Sequence, residues 1–213
     1  MKKYKGILIT SEGNEGCGKS TQIRLLYEYL KRQGQRVFLT REPGGTSVSD
    51  GIREVLLDNK NKKMTALTET LLYMASRAQL VEEVIKPRLE RGEIVLCDRW
   101  LDATLAYQGY GGGVDKKWIE KLGKVATQGI RPELTLFLNL PLQIGLRRAT
   151  SHKKADRMES KNIRYHERVK KGYLAIAKKE PRRFHLVRVD EKDSVRAVHE
   201  KIKAIVQHAL SKN

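Results

Sequence analysis

The run Gly13-Asn14-Glu15-Gly16-Cys17-Gly18-Lys19-Ser20 decides how this chain reads. It fits G-x-x-x-x-G-K-(S/T) at every fixed position and follows a short apolar stretch at 6–10. Through Thr21 it enters a segment in which Ile23, Leu26, Tyr27 and Leu30 recur at i, i+3, i+4 and i+7. Strand, glycine-rich loop and amphipathic helix, in that order, are the context that a phosphate-binding loop requires. The glycines let backbone N–H groups curl around phosphate oxygens, and the helix N-terminus adds its dipole. Lys19 is placed to neutralise the outer phosphates of a nucleotide, and the Ser20 hydroxyl to ligate Mg²⁺. Cys17 reads as a small packing residue, although a helix N-terminus and a nearby lysine can activate a thiol.

Working outward, short apolar runs at 37–40, 94–97, 134–140 and 184–189 join the first one. Longer segments with helical period separate them, which predicts a five-stranded parallel α/β sheet. Leu71, Met74, Ala75 and Ala78 predict a helix that covers the sheet and runs toward Pro87. No linker or repeat interrupts the chain, so residues 1–213 are expected to form a single domain. Two stretches read as loose, 109–113 and the basic segment 152–171, and the second is a candidate mobile lid. The run 94–97 delivers Asp98 to the carboxyl end of the sheet, where open α/β folds bind ligands. Asp98 is thus the candidate second metal-binding group beside Ser20. Arg99 is an odd residue to bury at a strand end unless it meets an anion.

Composition limits the classes available. Over 213 residues, 43 Lys+Arg against 25 Asp+Glu leave a net charge of +18, with 39% hydrophobic and 32% charged residues. That is neither a disordered nor a membrane-spanning composition, and no apolar run approaches the ~18–20 residues of a membrane helix. The apolar run at 6–9 is ended by Ser11-Glu12-Gly13, too soon for a signal-peptide core. With only Cys17 and Cys97, a reducing cytoplasm is the expected compartment. The charge also suits a nucleic-acid binder, but basic residues are spread from Lys2 to Lys212 without a helix-turn-helix, RRM or zinc signature. No specific nucleic acid and no membrane is expected as a partner. His152, His166 and the other histidines read as solvated surface residues.

Six segments in order extend the phosphate loop into a family pattern. They are 13–21, Arg41-Glu42-Pro43-Gly44-Gly45-Thr46, Ala75-Ser76-Arg77-Ala78-Gln79, Asp98-Arg99-Trp100, Tyr107-Gln108-Gly109 and Asp156-Arg157-Met158-Glu159. Over nearly its whole length the chain resembles the thymidylate kinases. The resemblance implies a three-layer P-loop kinase fold with a five-stranded parallel sheet, usually a homodimer. It implies phosphorylation of dTMP to dTDP with Mg-ATP, a step toward dTTP, by direct in-line transfer.

The resemblance also implies roles for the acceptor site. Tyr73, where the family usually has Phe, stacks on the thymine; Arg77 donates to a base carbonyl, and Gln108 matches the imide edge. Thr104 contacts the same edge, next to Ala103, where the family has serine. Glu15 lies near the sugar 3′-hydroxyl, Arg53 and Arg99 take the monophosphate, Tyr107 stands against the 2′ side of the ribose, and Glu42 and Pro43 bend toward the acceptor. A phosphate acceptor is already ionised near pH 7, its second pKa being about 6, so no general base is needed. One methyl is worth about 0.8 kcal/mol of burial, which separates dTMP only weakly from dUMP or UMP. With Gly16 in the loop rather than arginine, the family pattern calls for an arginine-rich lid, here around 147–160. Thr150 and His152 replace its middle arginines. The expectation is that Arg148 packs on the adenine side, while Arg157, aided by Lys153 or Lys154, meets the transferring phosphate.

Overall fold

The apolar runs become five parallel strands, β1 (Ile7–Gly13), β2 (Val37–Arg41), β3 (Ile94–Asp98), β4 (Leu134–Asn139) and β5 (Phe184–Arg188), in the order β2-β3-β1-β4-β5. The computed structural model describes residues 4–151 and 155–211. Its helices are α1 (Lys19–Arg32), α2 (Ser47–Leu57), α3 (Ala66–Leu80), α4 (Lys86–Glu90), α5 (Leu101–Thr104), α6 (Lys116–Ala126), α7 (Leu142–Thr150), α8 (Ile163–Lys179) and α9 (Val195–Leu210). π-helical turns at Val81–Ile85 and Leu105–Gly111 continue α3 into α4 and extend α5.

Side chains alternate across a strand, so the sheet feeds two cores. Ile7, Ile9, Ile94, Leu96, Leu134 and Leu136 pack under α1 and α9, against Ile23, Leu26, Leu30, Val198, Ile202 and Val206. On the other face Leu8, Val95 and Cys97 meet Leu80, Val81, Ile85 and Leu89. Phe137 there stacks on Tyr173 of α8 at 4.9 Å between ring centroids. The result is the expected three-layer arrangement. The chain winds from β1 toward one edge and, after β3, crosses to the other side of β1. The carboxyl ends around β1 therefore flank the reversal where such sheets bind ligands.

Four expectations are corrected. On α3 only Met74 of the predicted apolar stripe is buried; Leu71 is 46% exposed, and Ala75 and Ala78 are exposed too. The inward face carries Glu69, Thr70, Ser76 and Arg77, because it borders a polar cavity rather than the sheet alone. Residues 109–111 belong to the second π-helical turn and are packed, not loose. A Cβ at Gly111 would lie 2.8 Å from the Tyr165 ring and 2.9 Å from Val169, so only glycine allows α8 this close. The basic segment is helical from Ile163 onward: α8 starts there, capped by the Asn162 side chain, and buries Tyr165, His166 and Val169. His152, Lys153 and Lys154 lie outside the described residues. His166, expected on the surface, is fully buried, and its carbonyl accepts from Asn14 Nδ2 at 3.4 Å.

β1 runs past its apolar start and so carries a carboxylate into the interior. Glu12 is fully buried, accepting from the Trp100 backbone N–H and from the Tyr173 hydroxyl, both at 2.8 Å. Burial, then the Asp102 carboxylate, pushes its carboxyl up to about 8, against the opposing pull of Arg99 and the two hydrogen bonds. A group that keeps its proton to about pH 8 when folded, but loses it near 4.5 when unfolded, favours the folded chain most below that window. Stability is therefore expected to fall as pH rises from 4.5 to 8. Glu12→Gln should flatten the slope in urea titrations at several pH values, and an unchanged slope would contradict the buried-proton account. For the close helix contact, Gly111→Ala should cost about 1–3 kcal/mol in the same titration, and a neutral result would show that the contact gives way freely.

Candidate active site

The phosphate loop leaves β1 and ends at Gly18, which caps α1 without a side-chain hydrogen bond. The first-turn N–H groups of α1 are thus not consumed by a capping side chain, and Ser20 and Thr21 are exposed beside them. Gly16 has φ +66°, and a Cβ there would collide with the Gly145 carbonyl of α7. A Cβ at Gly145 would in turn strike the Glu15 carbonyl, so the loop and α7 touch backbone to backbone. Lys19 Nζ donates to the Asn14 carbonyl at 3.1 Å and lies 3.9 Å from Cys17 Sγ. Cys17 is buried and its thiol is pushed up by that burial, which fits a packing role.

Ser20 and Asp98 meet across the ends of α1 and β3, where Ser20 Oγ donates to Asp98 Oδ2 at 2.6 Å. Asp98 Oδ1 is buried with no hydrogen-bond partner among the described residues. One hydroxyl, one carboxylate and an unspent oxygen suit Mg²⁺, which takes few protein ligands and fills its shell with phosphate oxygens and water.

Arg99 joins this end to the rest of the site. Its φ is +75°, a costly conformation for a non-glycine residue. Its guanidinium donates to Glu15 Oε1 at 2.8 Å, the Tyr107 hydroxyl at 3.1 Å, the Tyr173 hydroxyl at 3.2 Å and the Gly13 carbonyl at 3.3 Å. Tyr107 also donates to Glu15 Oε1, at 2.7 Å. Burial alone would raise the Glu15 carboxyl, but Arg99, Lys19 and the Tyr107 hydroxyl bring it down to about 2. Glu15 is therefore a carboxylate at any working pH.

From here a cavity of about 260 Å³ runs between α2, α3 and the Leu105–Gly111 turn. It brings together Glu15, Lys19, Ser20, Asp98 and Arg99 at one end with Glu42, Pro43, Arg53, Tyr73, Arg77, Thr104, Tyr107 and Gln108. Arg41 lines it too, which the sequence reading did not foresee. Burial, then the nearby Arg41, pulls Arg53 below its ordinary value, as expected for a cationic wall. Arg53 Nη1 donates to the Pro43 carbonyl at 2.8 Å.

Arg77, 1% exposed, has four of its five N–H groups engaged. Nε and Nη2 donate to Glu42 Oε2 at 2.8 and 2.6 Å, Nη2 also to Thr104 Oγ1 at 3.1 Å, and Nη1 to Met74 Sδ at 3.2 Å. One Nη1 hydrogen is left. Glu42, expected to touch the acceptor, gives Oε2 to Arg77, whose buried guanidinium needs a counter-charge, and keeps Oε1 buried with no hydrogen-bond partner among the described residues. Gln108 Nε2 donates one hydrogen at 2.8 Å to Glu69 Oε1, which leaves its carbonyl oxygen and its second amide hydrogen.

Arg157 requires a correction. Far from being a free lid cation, it is 3% exposed and does not line the cavity. Its Nη1 pairs with Glu69 Oε2, and its Nε donates to the Leu56 carbonyl at 2.6 Å. Its Nη2 is buried with no hydrogen-bond partner among the described residues. Its neighbours Asp156, Met158 and Glu159 do line the cavity. Arg148 is exposed, with Nη2 on the Glu191 carbonyl at 3.0 Å, and Arg147 pairs with the Glu191 carboxylate. Glu69 was missed in the sequence, although its spacing to Tyr73 and Arg77, i, i+4 and i+8, places all three on one helical face.

Comparison with known proteins agrees with this geometry. The thymidylate kinase family profile matches residues 11–202. The thymidylate kinase of Citrifermentans bemidjiense is 51% identical over 188 residues, covering 85% of this chain and 84% of that one. That of Geotalea uraniireducens is 45% identical over 213 residues, covering 97% and 98%. The crystal structure of thymidylate kinase from Ehrlichia chaffeensis superposes with a TM-score of 0.77 at 33% identity, covering 95% of this chain and 98% of that one. The chain belongs to the thymidylate kinase family.

Proposed function

We propose that this chain transfers the γ-phosphoryl group of ATP to dTMP, giving dTDP, with Mg²⁺ as cofactor. The observation that carries the reading is the base end of the cavity. There a single free Arg77 N–H stands with a Gln108 carbonyl oxygen, a donor and an acceptor that match the C4 carbonyl and N3–H of thymine. Cytosine presents an amino donor and a bare ring nitrogen to the same pair, and unpaired buried polar groups discriminate strongly. Tyr73 supplies the aromatic wall. Tyr107, its hydroxyl held on Glu15, fills the 2′ side and disfavours a ribose, and so favours dTMP or dUMP over UMP.

The dTMP phosphate sits among Arg53 and Arg99, with Glu15 near the 3′-hydroxyl. The ATP phosphates lie on residues 13–21, and Arg148 flanks the adenine. Ser20 and Asp98 hold Mg²⁺, which when bound offsets the charge of the β- and γ-phosphates. No base has to remove a proton from an ionised phosphate. The chain's own part is therefore alignment and neutralisation, by Lys19 and the clamped Arg99. With Arg157 committed to Glu69, the transferring charge falls to these two residues.

We propose too that residues 1–213 form one domain acting in the cytoplasm as a homodimer, without specific nucleic-acid partners. No helix among the described residues is long and apolar enough to cross a membrane. What supports the dimer is the outward apolar stripe of Val48 and Val55 on α2 beside Leu67 and Leu71 on α3, each 45–55% exposed. A neighbour would cover it.

Lys19→Ala should lower kcat at least a thousandfold with an unchanged circular dichroism spectrum, and near-normal turnover would remove the loop from the mechanism. In an ADP-release assay with Mg-ATP, dTMP is expected to be the best acceptor, dUMP poorer and dCMP nearly inert. Equal use of dCMP would overturn the base-recognition reading. Leu71→Lys should shift the mass in sedimentation from dimer to monomer, and a wild-type monomer would contradict the assignment of the apolar stripe.

A further inference from the structure

Glu69 is a fully engaged buried carboxylate that the reaction itself does not use. It is 3% exposed, lies one helical turn from Tyr73 and two from Arg77, and has one oxygen on each of two partners. Oε1 accepts from Gln108 Nε2 at 2.8 Å, and Oε2 accepts from Arg157 Nη1. An ion-paired carboxylate offers only acceptors. The Gln108 amide can meet it only with its nitrogen, since a flipped amide would set oxygen against oxygen in the interior. The carbonyl oxygen of Gln108 is thereby left to the cavity.

We propose that Glu69 is a specificity-determining positioning residue: by holding the Gln108 nitrogen it presents the Gln108 oxygen to the acceptor and selects a base with an N–H at that edge. The inference rests on the acceptor being a pyrimidine monophosphate in this cavity and deepens that reading. Arg157 supports the arrangement twice. Its guanidinium keeps a counter-charge on Glu69, and its backbone N–H donates to the Leu57 carbonyl at 3.2 Å. That bond ties the 155–160 turn to the end of α2. The residue expected at the transferring phosphate thus serves base choice through Glu69. Arg77 reads the neighbouring carbonyl independently, its own orientation being set by Glu42.

The test is Glu69→Gln, which keeps size but can either donate or accept, so the Gln108 amide is free to turn. The ratio of kcat/KM for dTMP over dCMP is expected to fall about tenfold, the remainder being kept by Arg77, while the KM for ATP stays within twofold. Glu69→Asp, still acceptor-only, should retain more of the ratio than Glu69→Gln. A Glu69→Gln protein that folds and keeps the full wild-type ratio overturns the role of Glu69. A wild type without preference for dTMP instead overturns the functional reading beneath it. Should Glu69→Gln fail to fold, the nucleotide-free wild type decides by NMR. One Gln108 side-chain amide hydrogen should exchange slowly with water, and fast exchange of both would overturn the proposal.

Discussion

The Arg99 guanidinium is the interaction on which the rest of the site depends. It is held at a left-handed backbone position by a strand end, and its side chain reaches the phosphate loop at Gly13 and Glu15, the Leu105–Gly111 turn at Tyr107, and α8 at Tyr173. Three separate elements are thus registered on one planar fork, which lysine could not reproduce with its single point charge. The strained φ is sustained by Glu12, whose carboxyl takes the next backbone N–H, that of Trp100, and also receives the Tyr173 hydroxyl. The phosphate-loop end of the cavity and the wall formed by the Leu105–Gly111 turn are therefore joined by a single buried polar network.

The same logic explains why α3 turns a polar face inward. Buried ion pairs contribute little net stability relative to apolar packing, and they lose heavily if one partner is removed. Glu42 with Arg77 and Glu69 with Arg157 are such pairs, each with both side chains at most 4% exposed. Their return is orientation: each carboxylate consumes the hydrogen bonds that would let a recognition group turn. The apolar side of α3 faces outward in this arrangement, leaving Leu67 and Leu71 about half exposed.

Much of this was legible in the sequence because it depends on local pattern. The loop motif with its strand and helix, the five apolar runs and the delivery of Asp98 and Arg99 to a strand end all follow from period and spacing. The misread elements share a cause, namely that burial of polar groups is decided by partners distant in the chain. Leu71, Ala75 and Ala78 looked like a core stripe because periodicity marks an apolar face without telling whether the sheet or the outside meets it. Arg157 read as a lid cation because its partner Glu69 is 88 residues away, and His166 looked solvated because nothing nearby announces α8's inner face. Gly111 and Gly145 each allow a backbone to approach another element, and no local signal marks that.

The most direct test of the account is a crystal structure of the chain bound to dTMP. The account requires the thymine N3 at about 3 Å from Gln108 Oε1 and its O4 at a similar distance from Arg77 Nη1, with the phosphate between Arg53 and Arg99. A base turned away from Gln108 and Arg77, or a Gln108 amide released from Glu69 with its nitrogen toward the ring, would contradict it.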